Sequence, residues 1–203
     1  NGLQQLLEST AALYRRDLWQ DQDVYVEIWL EKVALSGVIY PVTERYDVPL
    51  MPTGGFSSIS FLQSAAAEIQ AIGKPAFIYQ FGDYDPSGVC IGNKIEADLK
   101  EFAPAAEIHF ERVAVTPEQI EKYKLPTRPT KKSDSRSKDF KGESVELDSI
   151  EPNELRLLVE NCITQHIDGR ILEVVKASEE SERELLEQLA ERGLVERKGR
   201  KPR

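Results

Sequence analysis

Apolar positions recur along the chain in two periods. Residues 3–16, LQQLLESTAALYRR, space their leucines and alanines at helical intervals, whereas residues 24–30, VYVEIWL, are β-branched and aromatic and predict a first strand. EKVALSGVI then suits a helix, and DVPLMP, 47–52, a short second strand. The glycine turn TGGFSS, 53–58, sets serines to cap the helix FLQSAAAEIQAIG, which Gly73 closes. PAFIYQF predicts a third strand, SGVCIGNKIEADLKEF a helix, and AEIHFERVAV, 106–115, a fourth strand.

Strands alternating with helices are the pattern of βαβ units, and the expected class is α/β: a parallel sheet of about four strands with helices on both faces. Residues 124–145 are polar and predict an irregular loop, long enough to suggest a functional role. PNELRLLVENCITQHI and SEESERELLEQLAERG predict a C-terminal helical extension, its second helix capped by Ser178 or Ser181 and stopped by Gly193. The expected organisation is an N-terminal helix over 1–22 that ends an upstream domain, a sheet domain over 23–123, the loop over 124–145, and helices with a basic tail over 146–203. The opening at Asn1, with Met51 the sole methionine, reads as part of a longer protein.

Charge narrows the function classes. The net charge of −9 argues against a uniformly cationic nucleic-acid-binding surface. The balance is uneven, however: residues 122–141 carry Lys122, Lys124, Arg128, Lys131, Lys132, Arg136, Lys138 and Lys141 against Asp134 and Asp139, and the ending ERKGRKPR is also basic. Without a long apolar run or a signal-peptide pattern, a cytoplasmic protein with no membrane partner is expected. Cys90 and Cys162 are too few for a disulfide framework, and neither they nor His109 and His166 show metal-ligand spacing.

The candidate chemistry lies in FGDYDPSG, 81–88, directly after the third strand. Ligands of open parallel sheets sit at the carboxyl ends of strands. Asp83 and Asp85, two apart in extended chain, point the same way and suit a hard cation such as Mg²⁺. Pro86 stops the strand, and Ser87 and Gly88 start a helix whose free N–H groups favour a phosphate. Asp-Pro-Ser-Gly is equally ordinary turn chemistry, with the aspartate capping a helix. A third acid comes from the first strand: Glu31 ends it, while Glu27 shares its face roughly 13 Å earlier.

LEKVAL (30–35), TGGFSS (53–58) and GDYDPSG (82–88) resemble, in order, the three signatures of the Toprim domain, closest to the A subunit of topoisomerase VI and the meiotic double-strand-break proteins. The resemblance covers roughly residues 23–115. It implies a Rossmann-like Toprim fold in which Glu31, Asp83 and Asp85 bind Mg²⁺, or Mn²⁺ in its place, and catalyse DNA phosphodiester cleavage with or without rejoining. Glu31 would also serve as general acid or base, Gly55 as the turn glycine, and Lys32 as the lysine after the glutamate. Lys32, Gly55, Ser87, Gly88, Lys131, Lys132 and Arg136 are the expected phosphate or DNA contacts. DNA is the implied partner, with room for an ATPase partner subunit and for a homodimer.

The family's attacking tyrosine lies on a winged-helix domain preceding the Toprim domain, and the residues before the first strand here are too few for one. Tyr14, in ALYRRD, reads as helix packing. A water-using nuclease, a phosphatase of the haloacid dehalogenase type and a non-catalytic DNA-binding or scaffolding module are the alternatives. The phosphatase motif sits on a first strand and lacks the proline.

Overall fold

A computed structural model describes residues 2–54, 58–130, 140 and 142–198. The elements run α1 (Gly2–Leu13), β1 (Tyr25–Leu30), α2 (Ser36–Arg45), β2 (Leu50–Pro52), α3 (Ile59–Ile72), β3 (Ala76–Phe81), α4 (Pro86–Phe102), β4 (Ile108–Ala114), α5 (Pro117–Tyr123), α6 (Pro152–Thr164) and α7 (Gly169–Lys198). Single 3-10 turns lie at Val33–Leu35 and Leu147–Ser149. The chain divides into two compact units, one of residues 1–22 with 167–203 and one of residues 23–166.

The second unit is α/β. Its four strands are all parallel, in the order β2-β1-β3-β4. The central strands β1 and β3 are buried along nearly their whole length, which is why VYVEIWL and PAFIYQF read as continuous apolar runs. One face of the sheet packs Trp29, Ala76, Ile78 and Ile108 against Leu62, Ala65, Ala66 and Ile69 of α3 and Ile91, Ile95 and Leu99 of α4. Alternation turns Tyr79 to the opposite face, where its hydroxyl meets His166 Nε2 at 2.6 Å and accepts from Gln165 Nε2 at 2.8 Å, just beyond α6. Arg156 Nε of α6 donates to Val38 O of α2 at 3.0 Å, and Tyr46 Oη donates to Glu160 at 2.8 Å, so α2 and α6 cover that face together.

Local signals explain most boundaries. Ser58 caps α3 by accepting from Phe61 N, and Gly73 closes it in the left-handed region at φ 68°. Strand β2 is shorter than DVPLMP suggested, because only Leu50–Pro52 pairs with β1. Helix α5 was not anticipated, although Thr116, Pro117 and Gln119 form a full capping box at its start. The expected irregular loop is tied at both ends: Arg128 bridges Ser144, and Val145 bridges Tyr84, both antiparallel.

In the first unit, α7 begins at Gly169 and continues to Lys198, so neither Ser178 nor Ser181 is a cap and Gly193 is no stop. The chain just after α1 holds this part of α7: Tyr14 Oη donates to Glu182 at 2.6 Å, Arg16 N donates to Glu179 at 2.9 Å, and Arg183, which also donates to Glu179 within α7 at 2.6 Å, donates to Tyr14 O at 3.2 Å. Among the described residues no helix is long and apolar enough to cross a membrane.

Candidate functional site

Glu31 and Asp83 meet because the two central strands end in register. Leu30 pairs with Phe81, and Glu31 N donates to Phe81 O at 2.9 Å. One residue further, the Glu31 carboxylate occupies the space that a side chain at position 82 would need. A Cβ on Gly82 would lie 2.4 Å from Glu31 Oε2 and 2.5 Å from Gln80 Nε2. Glycine at 82 therefore lets the carboxylate lie over the strand end, where Glu31 Oε2 accepts from Asp83 N at 3.2 Å.

Asp85 has a different task. Its extended backbone and carboxylate cap α4, with Oδ1 accepting from Gly88 N at 2.7 Å and Pro86 opening the helix. The Asp83 carboxylate faces residues that arrive from far along the chain. Leu147 N donates to Asp83 Oδ1 at 2.7 Å, and the Tyr84–Val145 pairing holds that segment in place. Lys32 Nζ joins the same segment, at 2.9 Å from Asp148, 3.1 Å from Glu146 and 3.9 Å from Asp83. Its amine is thus held among carboxylates instead of being presented freely to a phosphate. Arg128 pairs with Glu146 from the other side.

Burial raises the Glu31 carboxyl above the usual range for a glutamate, and the charge of Asp83 adds to the rise. Asp83 is raised as well, chiefly by burial and against the opposing pull of the Leu147 N–H and of Lys32. Two half-buried acids that resist joint ionisation are a pair whose tension a cation relieves.

Behind them lies Arg112 of β4, aligned with Gln80. Nη1 donates to Gln80 Oε1 and to Gly88 O, both at 3.1 Å, and Nη2 donates to Gly82 O at 3.0 Å and to Asp83 O. Burial lowers its pKa against the opposing pull of Glu31, Asp83 and Asp85. Arg112, Glu146 and Asp148 are the members of this site that the sequence reading missed.

Of the expected phosphate contacts, Ser87 lines a cleft of about 350 Å³ with Asp85, Arg128, Thr130, Ser144 and Glu146, while Gly88 is buried. Gly55, Lys131, Lys132 and Arg136 lie outside the described residues. Gly54, beside Gly55, takes the left-handed backbone at φ 61°.

The convergence of all three acids on one point is not seen. Glu31 and Asp83 adjoin, but Asp85 is committed to the helix cap, and among the described residues no group of three or more His, Cys, Asp and Glu is arranged to hold a metal ion. The donor set still suits Mg²⁺, a hard ion that takes one or two carboxylates and keeps several waters. Comparison of the sequence with protein-family models and with curated proteins gave no match.

Proposed function

We propose that residues 23–166 form a Toprim-type domain that cleaves DNA phosphodiester bonds with Mg²⁺, or Mn²⁺, held by Glu31 and Asp83, with Asp85 beside them. One observation carries the reading. Two acids that follow the adjacent parallel strands β1 and β3 meet at the carboxyl end of the sheet, Glu31 Oε2 lying 3.2 Å from Asp83 N, beside the N-terminus of a long helix.

When bound, the cation would stabilise charge on the phosphate and on its leaving oxygen. The remaining work falls to the chain's own groups. Glu31, at the strand end beside Asp83 N, is the group placed to take a proton from an attacking hydroxyl or water. Ser87, at the start of α4, and the exposed Arg128 face the cleft where a backbone phosphate would lie. Tyr14 donates to Glu182 and is not the nucleophile of this reading; an activated water in that role would make the protein a nuclease. A tyrosine supplied by a region N-terminal to this sequence would make cleavage covalent and reversible. The resemblance to topoisomerase VI extends the proposal to a homodimer and an ATPase partner subunit.

The test is cleavage of supercoiled DNA by the full chain in Mg²⁺ or Mn²⁺, followed by denaturation to trap protein-bound ends. Cleavage that disappears in Glu31→Gln and Asp83→Ala supports the proposal, and free ends identify water as the attacking group. Salt-dependent DNA binding that survives Asp83→Ala, with no cleavage in any metal, would replace it with a binding module.

A further inference from the structure

We propose that Arg112 is a positioning residue of this site, a fork that fixes the loop carrying Asp83 and Asp85 by clamping the carbonyls of Gly82, Asp83 and Gly88. As a contribution to catalysis, the inference rests on the proposed metal-dependent reading; as a statement about the loop, it stands on geometry.

A guanidinium has five N–H donors in a rigid fork. Four of them are accounted for by Gln80 Oε1, Gly88 O, Gly82 O and Asp83 O. The fifth, on Nε, is buried without a partner. The four terminal donors are engaged and the fifth is buried, so none is open to a substrate phosphate, and Arg112 acts through the loop and not on a ligand. Its backbone acceptors bracket the Asp83–Asp85 turn: one carbonyl just before it, one at its first residue and one in the first turn of α4. The backbone of this loop is paired at Gly82, with Ala114 and Val115, and at Tyr84, with Val145; the fork adds side-chain cross-links from β4 at Asp83 and Gly88, which those pairings leave out.

The glycines around the fork leave room for it. A Cβ at Gly92 would stand 3.3 Å from Gln80 Oε1 and 3.5 Å from Arg112 Nη1, and one at Gly82 would stand 3.5 Å from Arg112 Nη1. At Gly88 it would stand 2.2 Å from Asp83 O, the carbonyl that Arg112 holds. Glycines 82, 88 and 92 together form the slot through which a β4 side chain reaches the β3–α4 turn. Gln80, itself 1% exposed, orients the fork from the neighbouring strand.

The test uses the full chain with Arg112→Met and Arg112→Lys, measuring Mn²⁺ binding by paramagnetic resonance and amide exchange across residues 82–89. In Arg112→Met, Mn²⁺ affinity should fall about tenfold or more, as for loss of groups that orient metal ligands. Exchange should accelerate at Asp83, Gly88 and Val89 while Ile28 and Ile78 keep their protection. Arg112→Lys, which keeps the charge but not the fork, should stay folded and show both changes to a smaller extent. Wild-type affinity and wild-type exchange in Arg112→Lys overturn the proposal, as do they in a folded Arg112→Met. A wild-type chain that neither binds Mn²⁺ nor cleaves DNA defeats the metal reading alone; the exchange data then still decide whether Arg112 fixes the loop.

Discussion

Replacing Gly88 by alanine tests whether the turn before α4 is as tightly built as its contacts imply. In an ordinary helix the change would help, since alanine is favoured over glycine by up to about 1 kcal/mol. Here the new Cβ would lie 2.2 Å from Asp83 O and 3.2 Å from the carbon of that carbonyl, with Glu31 Oε2 at 3.3 Å. Backbone would have to retreat by about an ångström to reach a tolerable separation. Neither neighbour is free to do so: Asp83 O receives the Arg112 fork, and Asp83 Oδ1 receives Leu147 N at 2.7 Å. Overpacking of this kind costs about 1–3 kcal/mol, so the net expectation for Gly88→Ala is a loss of about 1–2 kcal/mol. For a chain of this length, that lowers the melting temperature by about 2–8 °C. Gly37, in α2, is the internal control, because its Cβ would meet nothing within 4 Å, and Gly37→Ala should gain about 0.5–1 kcal/mol. Thermal unfolding followed by circular dichroism measures both. A Gly88→Ala protein that melts at or above the wild-type temperature refutes the reasoning.

Asp85→Ala should cost about 1 kcal/mol through loss of the α4 cap, whereas Asp85→Ser should keep most of that stability. If the Asp85 carboxylate also serves the reaction, the serine variant loses cleavage while melting near wild type. Lys32→Met removes the amine that sits 3.9 Å from Asp83, so Mn²⁺ binding should tighten several-fold while urea stability falls by about 1 kcal/mol; weaker binding would contradict the assignment of Lys32 as a competitor for the acid. Glu27, 1% exposed, accepts from Tyr25 Oη at 2.7 Å and Trp29 Nε1 at 2.6 Å, and burial raises its carboxyl above 4.5. The native state therefore binds this proton more tightly than the unfolded chain, and stability from Glu27 grows as pH falls through its raised value and levels off below 4.5. Relative to Glu27→Gln, the wild type should gain stability on acidification from pH 7.5 towards that limit; a difference constant with pH in urea unfolding would refute the sign.

The fold was legible because each buried strand is an apolar run bounded by turn residues, and because Gly73 and Ser58 act where their chemistry predicts. Glu31 was found by phase: in β1 it follows Glu27 and Trp29 on one face, and the register of β1 with β3 does the rest. Glu146 and Asp148 were not legible. Their approach to Lys32 spans 114 residues in the first case and depends on the backbone pairing of Tyr84 with Val145, which no side-chain pattern announces. The limits of α7 were misjudged because the helix runs through Ser178 and Ser181, where contacts with the chain just after α1 hold it, and continues past Gly193 to Lys198. Arg112 did leave a signal: it stands in phase with Ile108 and Phe110, which face the core, and a charge on the inward face of a strand requires buried partners.

The two cations beside the acids therefore differ in kind. Among the described residues Lys32 is paired with carboxylates, on a flexible stem, and any divalent ion drawn to Asp83 competes with it directly. Arg112 donates to neutral carbonyls and an amide, so an ion that neutralises Glu31 and Asp83 takes none of its partners. Under the proposed reading the lysine is the exchangeable counter-charge that keeps a close acid pair tolerable before metal arrives. The arginine is the fixed one, which keeps the loop in place after the lysine has been displaced. Loss of Lys32 should then change how tightly the metal binds, and loss of Arg112 should change whether the loop that binds it stays formed.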